Sequence, residues 1–385
     1  MDMAALSEAF RSLFEVNMGI TAGERIVVFS DSVRPDERPS PADTGRRGRL
    51  LAVAGEAARY AADTYGNTRF VSFPATAASG AEPPVELWRA VLGDKTVEVL
   101  AAAGLLPRLL AKEATGGELE TARRIVLSRR EEVADVVVAL ANNSTSHTRF
   151  RALVNDAGGR FASLPNFDPE MFFTSMRVDW TALAGRTGRL ARAVNEGEEI
   201  VVTCPNGTSM RFGKRGRSAA GDDGILTAAG SFGNLPAGEV YLAPLEGTSE
   251  GVMVLEYAPT RRLASPLRLI VAGGRVTEIQ GDEPYREKLE RKFAEHDDNR
   301  NIAELGIGTN DRATRPDNIL EAEKILGTIH IALGDNSGFG GTVSTPFHED
   351  YVFYRPTLAS VAADGSERML LRDGEPVFME DAEGE

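Results

Sequence analysis

Residues 134–140 read Ala-Asp-Val-Val-Val-Ala-Leu, a run with no polar side chain after Asp135. A continuous apolar strand between helical segments is what a sheet covered on both faces requires. Working outward, Glu24–Ser30 reads as a second buried strand and Arg69–Phe73 as a third. A helix from about Arg49 to Tyr65, with Leu50, Val53, Ala57, Tyr60 and Ala61 at helical spacing, joins them. Segments near 84–92, 94–113 and 117–130 read as helices, and helix 145–157 with strand 160–164 continues the alternation. This predicts an α/β N-terminal domain with a largely parallel sheet. The polar stretch 31–47, holding Pro35, Pro39 and Pro41, is too long for an ordinary connection and reads as a loop, either mobile or part of a binding rim.

The pattern changes near residue 180. After a connecting helix over 179–196, strands Glu199–Thr203 and Ser209–Phe212 flank Asn206–Gly207, a strong short-range hairpin signal. Leu267–Ala272 with Val276–Ile279 around Gly273–Gly274, and Met369–Leu371 with Val377–Met379 around Asp373–Gly374, read as two further hairpins. The expected division is therefore residues 1–178 as the α/β domain and 179–385 as an α+β domain with antiparallel strands that carries the chemistry.

At 385 residues two domains are the default, and 42% hydrophobic residues suffice for two cores. The formal net charge of −14 repels polyanions and argues against nucleic-acid or anionic-membrane binding. Cys204 is the only cysteine, so no intrachain disulfide forms. The first residues include Asp2, Glu8 and Glu15 and lack a basic region followed by an apolar run, and no segment approaches the ~18 apolar residues of a membrane span. A cytoplasmic protein is expected.

No GxGxxG or GxxxxGKS pattern follows any predicted strand, and Cys204 has no nearby histidine. His147 lies just past the apolar strand, where open α/β sheets bind ligands, but it has no local metal-ligating companion and reads as a structural or helix-capping residue rather than a catalytic one. The chemistry concentrates in 301–351, which holds two of the four histidines beside Glu304, Glu321, Glu323, Glu349 and Asp350. Neutral imidazoles and carboxylates on Gly-rich turns suit a borderline divalent cation. Glu304 interrupts the apolar run 302–308, where an unpaired carboxylate is costly and a cation would satisfy it. Glu321 and Glu323 point to different faces of a helical turn, so at most one faces the site. In the strand-like run 327–334, alternation puts Thr328, His330 and Ala332 on one face, and His348 and Asp350, two apart, share a face. Glu239, sixty-odd residues upstream at the start of an apolar strand, is either an exposed edge residue or a ligand aimed into a cleft.

The segments LPAGEVYLAP (235–244), AELGIG (303–308), GTIHIALG (327–334) and TPFHED (345–350) resemble the metallopeptidase family typified by the thermophilic aminopeptidase T. The resemblance is close over the second half of the chain and extends only to general plan over the first. It implies that Glu239, Glu304, His330, His348 and Asp350 bind two divalent ions (zinc, cobalt, manganese or magnesium), with Glu304 bridging them. It also implies a further acidic ligand before the first histidine, matched by Glu323. The family's tyrosine after that histidine has no counterpart in 334–339, which leaves Tyr351 or Tyr354 for the role. The function implied is a hydrolase, a metallo-aminopeptidase that acts on short peptides as a homodimer, with Glu239 or Glu323 shuttling the proton. TPxHxD also resembles a second branch, the 2,5-dihydroxypyridine dioxygenases, which hold one Fe(II) with two histidines and an aspartate. In that branch a histidine stands in the place of Glu304, and the counterparts of Glu239 and His330 are not ligands. Because all three peptidase-type residues are present, the sequence favours the peptidase. A mononuclear iron dioxygenase is the second reading and a non-catalytic metal-stabilised binding protein the third.

Overall fold

The computed structural model describes residues 3–259, 261–316 and 318–379. Two compact units form: one from residues up to Arg177 together with Gly224–Pro236, the other from Val178–Asp223 together with the chain from Ala237 onward.

The first unit is built on a five-stranded parallel sheet in the order Thr68–Pro74, Ile26–Ser32, Val136–Ala139, Arg160–Ser163, Phe232–Asn234. Every residue of Val136–Ala139 is buried, as the apolar run predicts for a strand covered on both faces. Trp88, Phe150 and Phe161 fill one side with Phe29 and Val137.

Three expectations are corrected in this unit. The fifth strand comes from Gly224–Pro236, which returns from the second half of the sequence; its three residues have too little pattern to mark it as a strand. The stretch 31–47 is not all loop, because a helix runs over Pro41–Tyr65, with Pro41 in its first turn and the Ser40 side chain accepting from the Asp43 amide at 3.2 Å. Its opening, Pro41–Arg49, carries no apolar stripe, so periodicity missed it, although Ser followed by Pro is a helix-start signal. The helix over 94–113 is two, Asp94–Ala102 and Leu105–Leu110, separated by Gly104 in the left-handed region at φ 72°.

The second unit begins with helix Trp180–Asn195, capped by Asp179, which accepts from the Ala182 amide at 3.0 Å. Two antiparallel sheets follow. The larger has eight strands and contains the hairpins that turn at Gly207, Gly273–Gly274 and Asp373–Gly374. The smaller has five, in the order His348–Phe353, Ile329–Gly334, Ile302–Gly308, Glu239–Leu242, Ala220–Asp222. One face of the smaller sheet gives Val240, Leu242, Leu305, Ile307, Ile329, Ile331, Tyr351 and Phe353 to a core shared with the larger sheet and the helix. Side chains alternate between faces along a strand, so the residues between these point the other way. Among the described residues no helix is long and apolar enough to cross a membrane.

Candidate metal centre

Among the residues left on the other face are Glu239, Tyr241, Glu304, His330, His348 and Asp350. Strand register brings them together. Asp350 pairs with Ala332, which pairs with Glu304; His348 pairs with Gly334; His330 pairs with Gly306, which pairs with Tyr241; and Glu239 pairs with Gly308. Ala332 therefore stands between Asp350 and Glu304, and Gly306 between His330 and Tyr241. At Gly306 a Cβ would lie 2.0 Å from Cε1 and Nε2 of His330. The imidazole lies against the bare backbone of the AELGIG strand.

Two groups of ligand atoms result, each with its members within 4.8 Å of one another: Glu239, Glu304 and His330, and Glu304, His348 and Asp350. Glu304 belongs to both. Its Oε1 is 3.4 Å from His330 Nε2 and its Oε2 is 3.5 Å from His348 Nε2. His330 Nε2 also lies 3.4 Å from Glu239 Oε2, and His348 Nε2 lies 3.5 Å from Asp350 Oδ1. His348 Nδ1 is 2.7 Å from the carbonyl oxygen of Asp335. A carbonyl only accepts, so Nδ1 carries the proton and Nε2 is turned to the carboxylates, the orientation a metal-bound histidine takes. Glu239 Oε2 is buried and accepts no hydrogen bond, an arrangement that a cation would satisfy. The donor set of imidazole nitrogen and carboxylate oxygen suits zinc, manganese or iron. The centre is deep at one end and open at the other: the side chain of His330 is 2% exposed and that of His348 32%.

The carboxylates govern the protonation of this face. Burial opposes charge on His330, but its hydrogen bond with Glu304 and the charges of Glu239, Glu304 and Asp350 prevail and raise its pKa to about 9. Burial likewise opposes charge on His348, and Asp350 and Glu304 lift its pKa to about 10. Burial works against the Asp350 carboxylate too, yet His348, His330 and Lys324 hold its pKa down at about 2. Glu323 goes the other way: burial, with Glu239 and Asp350 nearby, raises it to about 7 against the pull of Lys324.

Five of the predicted ligands, Glu239, Glu304, His330, His348 and Asp350, thus converge. Glu323 joins neither group among the described residues; its carboxylate lies 3.0 Å from Lys324 Nζ. Glu321 is turned away and accepts from the Thr314 amide. Tyr351 is corrected outright. It lies on the opposite face, buried in the core, with its hydroxyl donating to Glu349 at 2.7 Å and 3.1 Å from the Tyr285 hydroxyl. The alternation that pairs His348 with Asp350 excludes it. The tyrosine facing the site is Tyr241, whose pKa is raised to about 12 by burial and by Asp222, Glu239 and Glu304. Its place two residues after Glu239 was a legible signal. Lys324 had none, because the direction of a side chain leaving a short turn is set by tertiary packing. His147, in the first unit, is exposed.

The family model described as NicX, 2,5-dihydroxypyridine 5,6-dioxygenase, matches residues 98–375. Among solved structures, that of 2,5-dihydroxypyridine dioxygenase from Pseudomonas putida KT2440 is similar with a TM-score of 0.67 at 16% identity, covering 98% of this chain and 98% of that one. Wild-type AmpT from Thermus thermophilus is similar with a TM-score of 0.61 at 14% identity, covering 98% of this chain and 100% of that one. At such identities the likeness is one of fold. No curated protein matches the chain by sequence.

Two predictions follow from this geometry. Gly306→Ala should push the His330 ring off the site and weaken divalent-ion binding at the Glu239–Glu304–His330 group by about 10–100-fold, as losses of orienting contacts do. Calorimetric titration of the metal-free chain checks this, and unchanged affinity contradicts it. The second concerns pH. Both imidazole pKa values lie above the ordinary 6.5, so in the metal-free chain the charged rings stabilise the fold fully below about 6.5. That contribution is lost as pH rises through about 9 to about 10. A bound ion must displace these protons, so metal affinity should rise from about pH 7 to about pH 9 with proton release, read from calorimetry in buffers of different ionisation enthalpy.

Proposed function

The chain belongs to the NicX 2,5-dihydroxypyridine 5,6-dioxygenase family, and from that membership we propose that it is a metal-dependent ring-cleaving dioxygenase whose iron is held by Glu304, His348 and Asp350. The observation that carries this reading is the openness of that group: a catalytic ion needs positions free for substrate, and His348 and Asp350 form the exposed end of the site, with side chains 32% and 20% exposed. Of the two enzyme readings drawn from the sequence, the family match supports ring cleavage better than peptide hydrolysis.

A ferrous ion at this group would supply the capacity to activate dioxygen toward an electron-rich ring. The chain's own part is to hold and orient. The Asp335 carbonyl fixes the His348 tautomer, and Glu304 supplies a carboxylate at the position where the resemblance to the dioxygenase branch implies a histidine. Phe339, 5.9 Å from the His348 ring and 6.0 Å from the Tyr241 ring, both edge to face, walls the open end with apolar surface suited to a planar heterocycle.

A second reading, the two-metal aminopeptidase, keeps a specific observation in its favour: Glu239 and His330 complete a second ligand group around the shared Glu304. There the two ions would polarise a peptide carbonyl and activate water, and Glu323, at a pKa of about 7, would carry the proton.

Anaerobic reconstitution with Fe(II), followed by elemental analysis, oxygen uptake with 2,5-dihydroxypyridine and release of p-nitroaniline from leucine p-nitroanilide, separates the readings. The dioxygenase predicts about one iron per chain and oxygen consumed in step with ring loss, both abolished by His348→Ala. Peptide turnover with two ions per chain and no oxygen requirement contradicts it.

A further inference from the structure

Lys324 Nζ is buried, with its side chain 1% exposed, inside the deep end of the site. It donates to Glu239 Oε1, lies 3.0 Å from Glu323 Oε1 and 4.0 Å from Asp222 Oδ2. Its backbone is pinned as well, the amide donating to the Glu321 carbonyl at 3.0 Å and the carbonyl accepting from the Asn310 amide at 2.8 Å. The ammonium is therefore fixed on one oxygen of Glu239 while the other oxygen faces His330. Among the described residues no Lys or Arg pairs with Glu304 or Asp350, whose ion-pair partners are the two histidines.

We propose that Lys324 is a built-in counter-cation that makes the two ligand groups unequal. The Glu304–His348–Asp350 group takes a divalent ion tightly, whereas the Glu239–Glu304–His330 group takes one only weakly, because Glu239 already carries an ammonium. Like charges sharing one buried carboxylate repel strongly, since little water screens them. The open group has no lysine or arginine within ion-pair distance among the described residues, and Lys324 acts on it only at longer range, through Asp350, to a lesser extent than His348 and His330. Lys324 thus supplies the charge that a second ion would bring and biases a five-ligand face toward a single resident metal. This deepens the reading of the face as a metal centre and rests on it.

The test is calorimetric titration of the metal-free, full-length chain with Co(II). The wild type should bind in two steps, the second weaker by on the order of tenfold or more. His348→Ala should remove the tight step and His330→Ala only the weak one. Lys324→Met should tighten the weak step by on the order of tenfold or more while moving the tight step by less than about threefold. Should that variant fold only with metal, elemental analysis after dialysis reads the same property: two cobalt ions per chain, against one in wild type. Two equal steps in wild type, or a Lys324→Met protein whose weak step is unchanged or weaker, overturn the role of Lys324 alone. A tight step that survives His348→Ala overturns the metal-centre reading itself.

Discussion

A β-sheet with one face in a hydrophobic core can carry charge only on the other, and here the whole centre obeys that constraint. Leu305, Ile307, Ile329, Ile331 and Tyr351 occupy the core face, so Glu304, His330 and Asp350, which alternate with them, are forced onto one shared surface. Ionised carboxylates gathered there with little exposure are costly, each by several kcal/mol if left without a partner. The two histidines and Lys324 answer that cost in the metal-free chain, and a divalent ion would answer it in a loaded one.

The same constraint explains the small residues. Gly306 and Ala332 lie between candidate ligands or the facing Tyr241, and Gly308 and Gly334 lie opposite Glu239 and His348, so absence of side-chain bulk lets carboxylates and imidazoles lean toward a common point. The motifs that carry the family resemblance are thus two interleaved patterns, ligands and the gaps they fill. Lys324 arrives from outside the sheet, on the turn after Ile319–Ala322, and reaches Glu239, in the group that holds the buried His330.

Much of this was legible in the sequence because it rests on local periodicity. The Val136–Ala139 strand, the Asn206–Gly207 and Gly273–Gly274 hairpins, and the shared face of His348 and Asp350 all follow from patterns only a few residues long. What escaped depends on distance in the chain or on direction out of a turn. Gly224–Pro236 returns to the first unit, Lys324 turns inward, and Pro41–Arg49 is helical through its cap with no apolar stripe to announce it. Tyr351 is a different case, for strict application of alternation already put it on the wrong face. Whether five ligands hold one ion or two is a matter of charge balance around Glu239, which residue spacing does not encode.

The most direct test of the central claim is an anomalous-difference map from crystals grown with manganese(II). The account predicts a principal peak among Glu304, His348 and Asp350, with weak density or none between Glu239 and His330. A principal peak between Glu239 and His330, or no peak on this face of the sheet, would contradict it.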